Sequence, residues 1–198
     1  MAALKFYTSP QSRGRIVRWM LEEVGVPYEA TVLAPGTSSQ NPQYLGINPM
    51  GKVPALVHGE TVVTETAAIC MYLADTFSNA KLAPNHDQRG AYYRWFLFAA
   101  GPLEAAITNK ILGCVVPDEL RKSVGYGSYE KVIDVLEGAV SLQQYIAGNV
   151  FTAADVYVGS QIGLGIQFGL IEKRPAFEEY WERLNMRRAY VRSQELEG

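Results

Sequence analysis

The period of the hydrophobic pattern changes once along this chain, and that change limits what the chain can fold into. From Leu4 to about Phe77, short apolar runs alternate with segments of helical spacing; from about Asp87 onward only helical spacing remains. A chain of 198 residues patterned in this way builds a small α/β unit and then an all-helical one. The change falls in Ser78-Asn79-Ala80-Lys81-Leu82-Ala83-Pro84, which carries neither period. The expected organisation is a first domain over residues 1–78, a linker over 79–84 and a helical domain over 85–198.

In the first part, Leu4 to Tyr7 reads as a strand, and Val17, Met20, Leu21 and Val24 mark one face of a helix that Gly25 ends. Tyr28 to Leu33 is a second strand, followed by a polar loop from Ala34 to Pro42. Ala55 to His58 and Thr61 to Thr64 flank Gly59-Glu60 as a hairpin, and a further helix begins near Thr66. The order is β-α-β and then β-β-α. In the second part, Tyr92, Tyr93, Trp95, Phe96 and Phe98 lie on one helix, with a kink or break expected at Gly101-Pro102. Val132, Leu136 and Val140 mark another helix, and Thr152-Ala153-Ala154-Asp155 has the form of a capping box opening a helix from Ala153 to Ile171. Pro175 suits the first position of the next helix, whose apolar face is Phe177, Tyr180, Trp181 and Leu184.

Ala153 to Ile171 carries one charge, Asp155, and resembles a membrane span at first sight. Gln161, Gln167, four glycines and the lack of a basic N-terminal flank favour a buried central helix in which glycines permit close packing. No membrane partner is expected. With 48% hydrophobic residues the chain has enough apolar mass for a packed core, and a net charge of −2 offers no global field for nucleic acid. Cys70 and Cys114 cannot form a disulfide framework, and the first residues lack a signal-peptide pattern, so a reducing, cytoplasmic setting is expected. With only His58 and His86, a histidine-based metal site is not expected.

Three segments of the first part carry candidate chemistry. Ser12 stands where the first helix begins, beside Arg13 and Arg15, and its hydroxyl serves either an anion or the helix cap. Pro54 directly precedes a strand, which implies an edge strand or a cis bond after Val53, with the Val53 main chain free to pair with an extended peptide. At Thr64-Glu65-Thr66, Thr66 can cap a helix whose N-terminus can also hold a carboxylate, and Glu65 can meet an amine. Together they suit a small peptide-like thiol.

Four stretches resemble the cytosolic glutathione transferases: Tyr7-Thr8-Ser9-Pro10-Gln11-Ser12, Leu45 to Leu56 with its Asn48-Pro49-Met50-Gly51-Lys52-Val53-Pro54, Glu65 to Leu73, and Phe151 to Asp155. The resemblance covers essentially the whole chain. It implies a thioredoxin-like N-terminal domain, an all-α helical-bundle C-terminal domain and a homodimer. It also implies a cis Pro54, with glutathione as co-substrate bound through Lys52, Val53, Pro54, Glu65 and Thr66. The thiol-activating residue it implies is Ser12 of the serine type, or else Tyr7, with Arg15 as an electrostatic helper. The electrophile it implies is small and hydrophobic, in an apolar cleft whose candidate lining is Ser9, Gln11 and the Tyr92 to Ile111 helix. The pattern departs from the bacterial beta class: Arg13 stands where those members carry cysteine, and Glu104-Ala105 where they carry a His-Lys pair. The leading expectation is an enzyme that directs a glutathione thiolate at an electrophile. The alternatives are a non-catalytic interaction module of the same fold, or a glutathione-dependent peroxidase or dehalogenase.

Overall fold

The computed structural model describes residues 3–197. It forms two compact units: residues up to Leu82 together with those from Met186 on, and Ala83–Asn185.

The first unit is the thioredoxin-like one. Strands β1 (Leu4–Thr8), β2 (Tyr28–Val32), β3 (Ala55–His58) and β4 (Thr61–Thr64) form one sheet in the order β2-β1-β3-β4. β1 and β2 are parallel and are joined by helix α1 (Gly14–Val24); β3 is antiparallel to both of its neighbours. β3 is therefore interior, and the Val53–Pro54 bond that precedes it is cis. Leu4, Phe6 and Thr8 alternate onto the buried face of β1. α1 buries Ile16, Val17, Trp19, Met20 and Leu21, and Gly25 closes it at φ 70° with its N–H on the Leu21 carbonyl. A short helix the hydrophobic pattern did not signal, α2 (Pro42–Leu45), begins where the polar loop ends and is capped by the Asn41 side chain. Helix α3 (Thr66–Thr76) follows the hairpin.

Past the helical unit the chain returns to this first unit, so the division differs from the expected 85–198. Helix α9 (Arg188–Glu195) packs on α1 through Trp19 and Tyr190, whose rings are 5.0 Å apart, and through three polar pairs. Arg187 meets Glu23 with two bonds of 2.6 and 2.7 Å, Arg18 meets Glu197 at 2.5 Å, and Arg15 donates to Gln194 at 2.8 Å. Arg18 is buried, with its guanidinium 5.4 Å from the Phe6 ring centroid, so the ion pair with Glu197 offsets its loss of water.

The second unit is all helix: α4 (Gly90–Phe98), α5 (Glu104–Ile111), α6 (Tyr129–Leu142), α7 (Ala153–Gln167) and α8 (Pro175–Asn185). At Gly101-Pro102 the helix neither kinks apart nor stops. A π-helical segment, Ala99–Leu103, joins α4 to α5, and the Glu104 N–H reaches back five residues to the Ala99 carbonyl, which accommodates the missing proline donor. α7 is the central helix, with every residue from Ala153 to Ser160 buried. A Cβ on Gly159 would stand 2.3 Å from Leu184, and one on Gly163 would stand 2.4 Å from Trp181, so both glycines are needed for the approach of α8. α7 ends before the expected Ile171. Gly169 turns the chain at φ 68°, and the Ile171 N–H returns to the Gly165 carbonyl at 3.0 Å. Among the described residues no helix is long and apolar enough to cross a membrane.

Asp155 forms the expected capping box and more. Its carboxylate accepts from the Ile146 N–H (2.7 Å), the Thr152 N–H (2.8 Å), the Thr152 hydroxyl (3.1 Å) and the Tyr180 hydroxyl (2.8 Å). Burial outweighs these four donors and pushes its pKa up to about 6.

Candidate active site

Strand register brings the three candidate segments to one end of the sheet. Tyr7 pairs with Ala55, and Ala55 with Thr64. The β1–α1 turn, the Val53–Pro54 bond and Glu65 are therefore the next residues beyond one row.

Ser12 lies in the turn just before α1. Its hydroxyl donates to the Ser9 carbonyl at 2.7 Å and accepts from the Gly14 N–H at 3.0 Å. The second bond is a cap-like contact, holding the oxygen on a donor at the positive end of α1. The first is a proton on a rotor: turning about the Cβ–Oγ bond redirects it without moving the oxygen. Gln11 takes φ 57° so that the turn can present Ser12 at this point. Beneath the turn lies Thr8, whose buried hydroxyl has no hydrogen-bond partner among the described residues.

Tyr7 is on the other face of the sheet from Phe6 and Thr8, by strand alternation. Its ring lies 5.7 Å from that of Tyr44. The Arg15 guanidinium is engaged by Gln194 of α9.

The Lys52 carbonyl is fixed by two donors, the Tyr44 hydroxyl at 2.5 Å and the Asn48 amide at 2.7 Å. Asn48 also accepts from the Met50 N–H, and the Ser38 hydroxyl donates to the Gly51 carbonyl at 2.7 Å. Gly51 has φ 62° and passes so close to Ser39 that a Cβ would stand 2.7 Å from its Cα. This network anchors the residues that lead into Val53. Lys52 is exposed, and Pro54 is buried against the sheet.

At the β4–α3 junction the cap is Glu65 rather than Thr66, which is already the first helical residue and is buried. Glu65 has φ 65° and ψ 120°, a conformation that costs a non-glycine residue about 1–3 kcal/mol. Among the described residues no side chain caps α3, so its first-turn N–H groups are left for another acceptor, and the residue just before them, Glu65, is exposed.

Residues that local reading did not single out include Thr8, Ser38, Tyr44 and Gln194. Each acts through a partner distant in sequence or through close packing, so no short motif marks it. Cys70 is fully buried and its thiol is pushed far up by desolvation, which makes it inert at the sheet. Among the described residues no group of His, Cys, Asp and Glu is placed to hold a metal ion.

Comparison with known proteins agrees with this geometry. The family described as glutathione S-transferase, N-terminal domain, matches residues 8–76. A glutathione S-transferase of Hypomyces subiculosus is 28% identical, covering 96% of this chain and 97% of the relative. One from Arabidopsis thaliana is 30% identical over 86% of both chains. Among solved structures, a sphingomonad glutathione S-transferase complexed with glutathione superposes with a TM-score of 0.80 at 25% identity, covering 98% of each chain. The sheet end with its uncapped helix start, the fixed Lys52–Pro54 segment and the near full-length relatives lead to one conclusion: this chain belongs to the glutathione S-transferase family.

Proposed function

We propose that the sheet end binds glutathione and that Ser12 activates its thiol. The Val53 main chain pairs with the cysteinyl residue as an added strand. Glu65 takes the γ-glutamyl ammonium, and Thr66 with the first N–H groups of α3 takes the neighbouring carboxylate. Lys52 and Pro54 border the same segment. The glutathione sulfur then faces the β1–α1 turn, where the Ser12 O–H donates to it and favours thiolate over thiol.

The observation that carries this reading is the Ser12 hydroxyl itself. Its oxygen is held by the Gly14 N–H while its proton can leave the Ser9 carbonyl. Tyr7 offers no comparable arrangement, since its ring packs toward Tyr44 on the other sheet face. Arg15 contributes at longer range from the first turn of α1, with its guanidinium tied to Gln194. The activated sulfur attacks a small hydrophobic electrophile: an S–C bond forms, and either a leaving group departs with the displaced electron pair or the adduct takes up a proton. A homodimer belongs to the same reading, and sedimentation at micromolar concentration tests it.

The kinetic test compares Ser12→Ala with Tyr7→Phe, using glutathione and an activated aryl halide. Ser12→Ala lowers kcat by about 10- to 100-fold with glutathione affinity within about twofold of the parent. Tyr7→Phe stays close to the parent. The reverse pattern moves the role to Tyr7, and binding without turnover in the parent identifies an interaction module.

A further inference from the structure

The Lys52–Val53 peptide group is held on one side and open on the other. Its carbonyl takes two donors, the Tyr44 hydroxyl at 2.5 Å and the Asn48 amide at 2.7 Å. Its N–H, that of Val53, has no acceptor among the described residues. The bond is trans, so the carbonyl and the N–H point in opposite directions. The two donors therefore hold the amide from behind, and the N–H faces away from them toward whatever pairs with Val53.

Both donors are placed by the α2 segment. Tyr44 is 2% exposed, and its ring lies 5.7 Å from that of Tyr7. The Tyr44 carbonyl accepts the Asn48 N–H at 2.8 Å, and the Asn48 side-chain oxygen accepts the Met50 N–H at 3.1 Å, which leaves the Asn48 amide nitrogen for Lys52. A phenylalanine would fill the Tyr44 site equally well, so packing does not account for the hydroxyl. Burying it costs free energy that a hydrogen bond must offset, and the bond it makes is to the Lys52 carbonyl.

We infer that Tyr44 is a positioning residue for glutathione. A donor on an amide oxygen draws electron density toward that oxygen and makes the N–H of the same amide a stronger donor, because hydrogen bonds in a chain polarise one another. The chain here runs from the Tyr44 hydroxyl to the Lys52 carbonyl, through the amide to the Val53 N–H, and on to the cysteinyl carbonyl of glutathione. Tyr44 and Asn48 also fix the direction of that N–H before the ligand arrives, which lowers the cost of binding. Tyr44 acts through Val53 and not on the sulfur, so it governs binding rather than the attack. Its role depends on the Val53 pairing proposed above and adds what strengthens that pairing.

The test compares the parent with Tyr44→Phe, measuring KM and kcat with an activated aryl halide and affinity by calorimetry. Affinity is measured for glutathione and for its depsipeptide, in which an ester replaces the cysteinyl–glycyl amide. The ester carbonyl is a weaker acceptor; the glycyl N–H is lost too, equally for both proteins. The parent binds the depsipeptide about tenfold more weakly than glutathione. Tyr44→Phe raises the KM and the dissociation constant for glutathione about three- to tenfold and keeps kcat within about twofold. It also narrows the preference for glutathione over the depsipeptide to about threefold, because both changes weaken one hydrogen bond. Asn48→Ala, which removes the other donor, narrows the preference likewise and carries the test should Tyr44→Phe fold poorly.

Tyr44→Phe with the parent's affinity for glutathione overturns the proposal. So does an affinity loss that is equal for the two ligands, which marks a merely structural role, and so does a loss confined to kcat. If the parent binds the two ligands equally, or binds neither, the Val53 pairing itself fails and takes the role of Tyr44 with it.

Discussion

Two helix starts, α3 at Thr66 and α7 at Ala153, are built in opposite ways. At α7 the buried Asp155 carboxylate accepts four hydrogen bonds from the chain around it, and the helix end is closed. At α3 no side chain among the described residues caps the helix, and the preceding residue, Glu65, stands at φ 65°, where a non-glycine residue is strained. A helix start satisfied from within serves folding. In the proposed reading, the start left open at strained backbone takes the glutathione carboxylate. Two of the three described positive-φ non-glycine residues, Gln11 and Glu65, gather with the buried Thr8 hydroxyl and the Lys52 anchor at one end of the first unit's sheet.

Asp155 is where the contrast breaks most visibly. Asp155→Ala leaves the Ile146 and Thr152 N–H groups and the Tyr180 hydroxyl without their acceptor inside the core, at a cost of about 3–5 kcal/mol in urea unfolding. Loss of less than about 1 kcal/mol would show that the closed helix start is not what holds this unit. The same residue gives a pH signature. Its pKa is about 6 in the fold against 3.8 in the unfolded chain, so between these values the folded state binds more protons. Stability contributed by this group is fully present below about pH 4 and declines as pH rises toward 6, by about 3 kcal/mol in total. Asp155→Asn removes that slope, and an unchanged slope would assign it to other groups.

Glu65→Gly tests the open start. Glycine adopts φ 65° at little cost, so the variant gains about 1 kcal/mol of stability or holds level, while glutathione affinity measured by calorimetry falls about tenfold or more. A gain in stability with unchanged affinity would make the strained backbone incidental. The smallest effect is expected at Ser128, whose hydroxyl caps α6 by accepting from the Lys131 N–H at 3.2 Å on the surface. Ser128→Ala costs about 1 kcal/mol and leaves turnover unchanged.

Much of this was legible in the sequence because it rests on local rules. The hairpin around Gly59-Glu60, the closure of α1 at Gly25 and the capping box at Thr152 each need only a few neighbouring residues, and each lies where expected. α9 was not legible. Arg188–Glu195 carries few apolar residues among many polar and charged ones, and its segment docks on α1 through charged and polar pairs whose partners lie more than 160 residues apart in sequence. The π-helical segment at Pro102 shows the same limit: sequence signals a broken hydrogen-bond ladder but not how the chain repairs it. At the site, the Asn48 to Pro54 segment and Ser12 stand out as motifs. Thr66 misled as a cap because the left-handed turn at Glu65 moves the helix start by one residue. The Thr8 and Gly14 proximity exists only once β1 and α1 are folded together.

The most direct test of the central claim is the thiol pKa of bound glutathione, read from thiolate absorbance in an ultraviolet difference titration of the complex. With the parent protein, the thiolate forms well below the free thiol value of about 8.5, and in Ser12→Ala the titration returns toward that value. A bound thiol that titrates like free glutathione in the parent protein, or a depressed pKa that survives Ser12→Ala, would contradict the account.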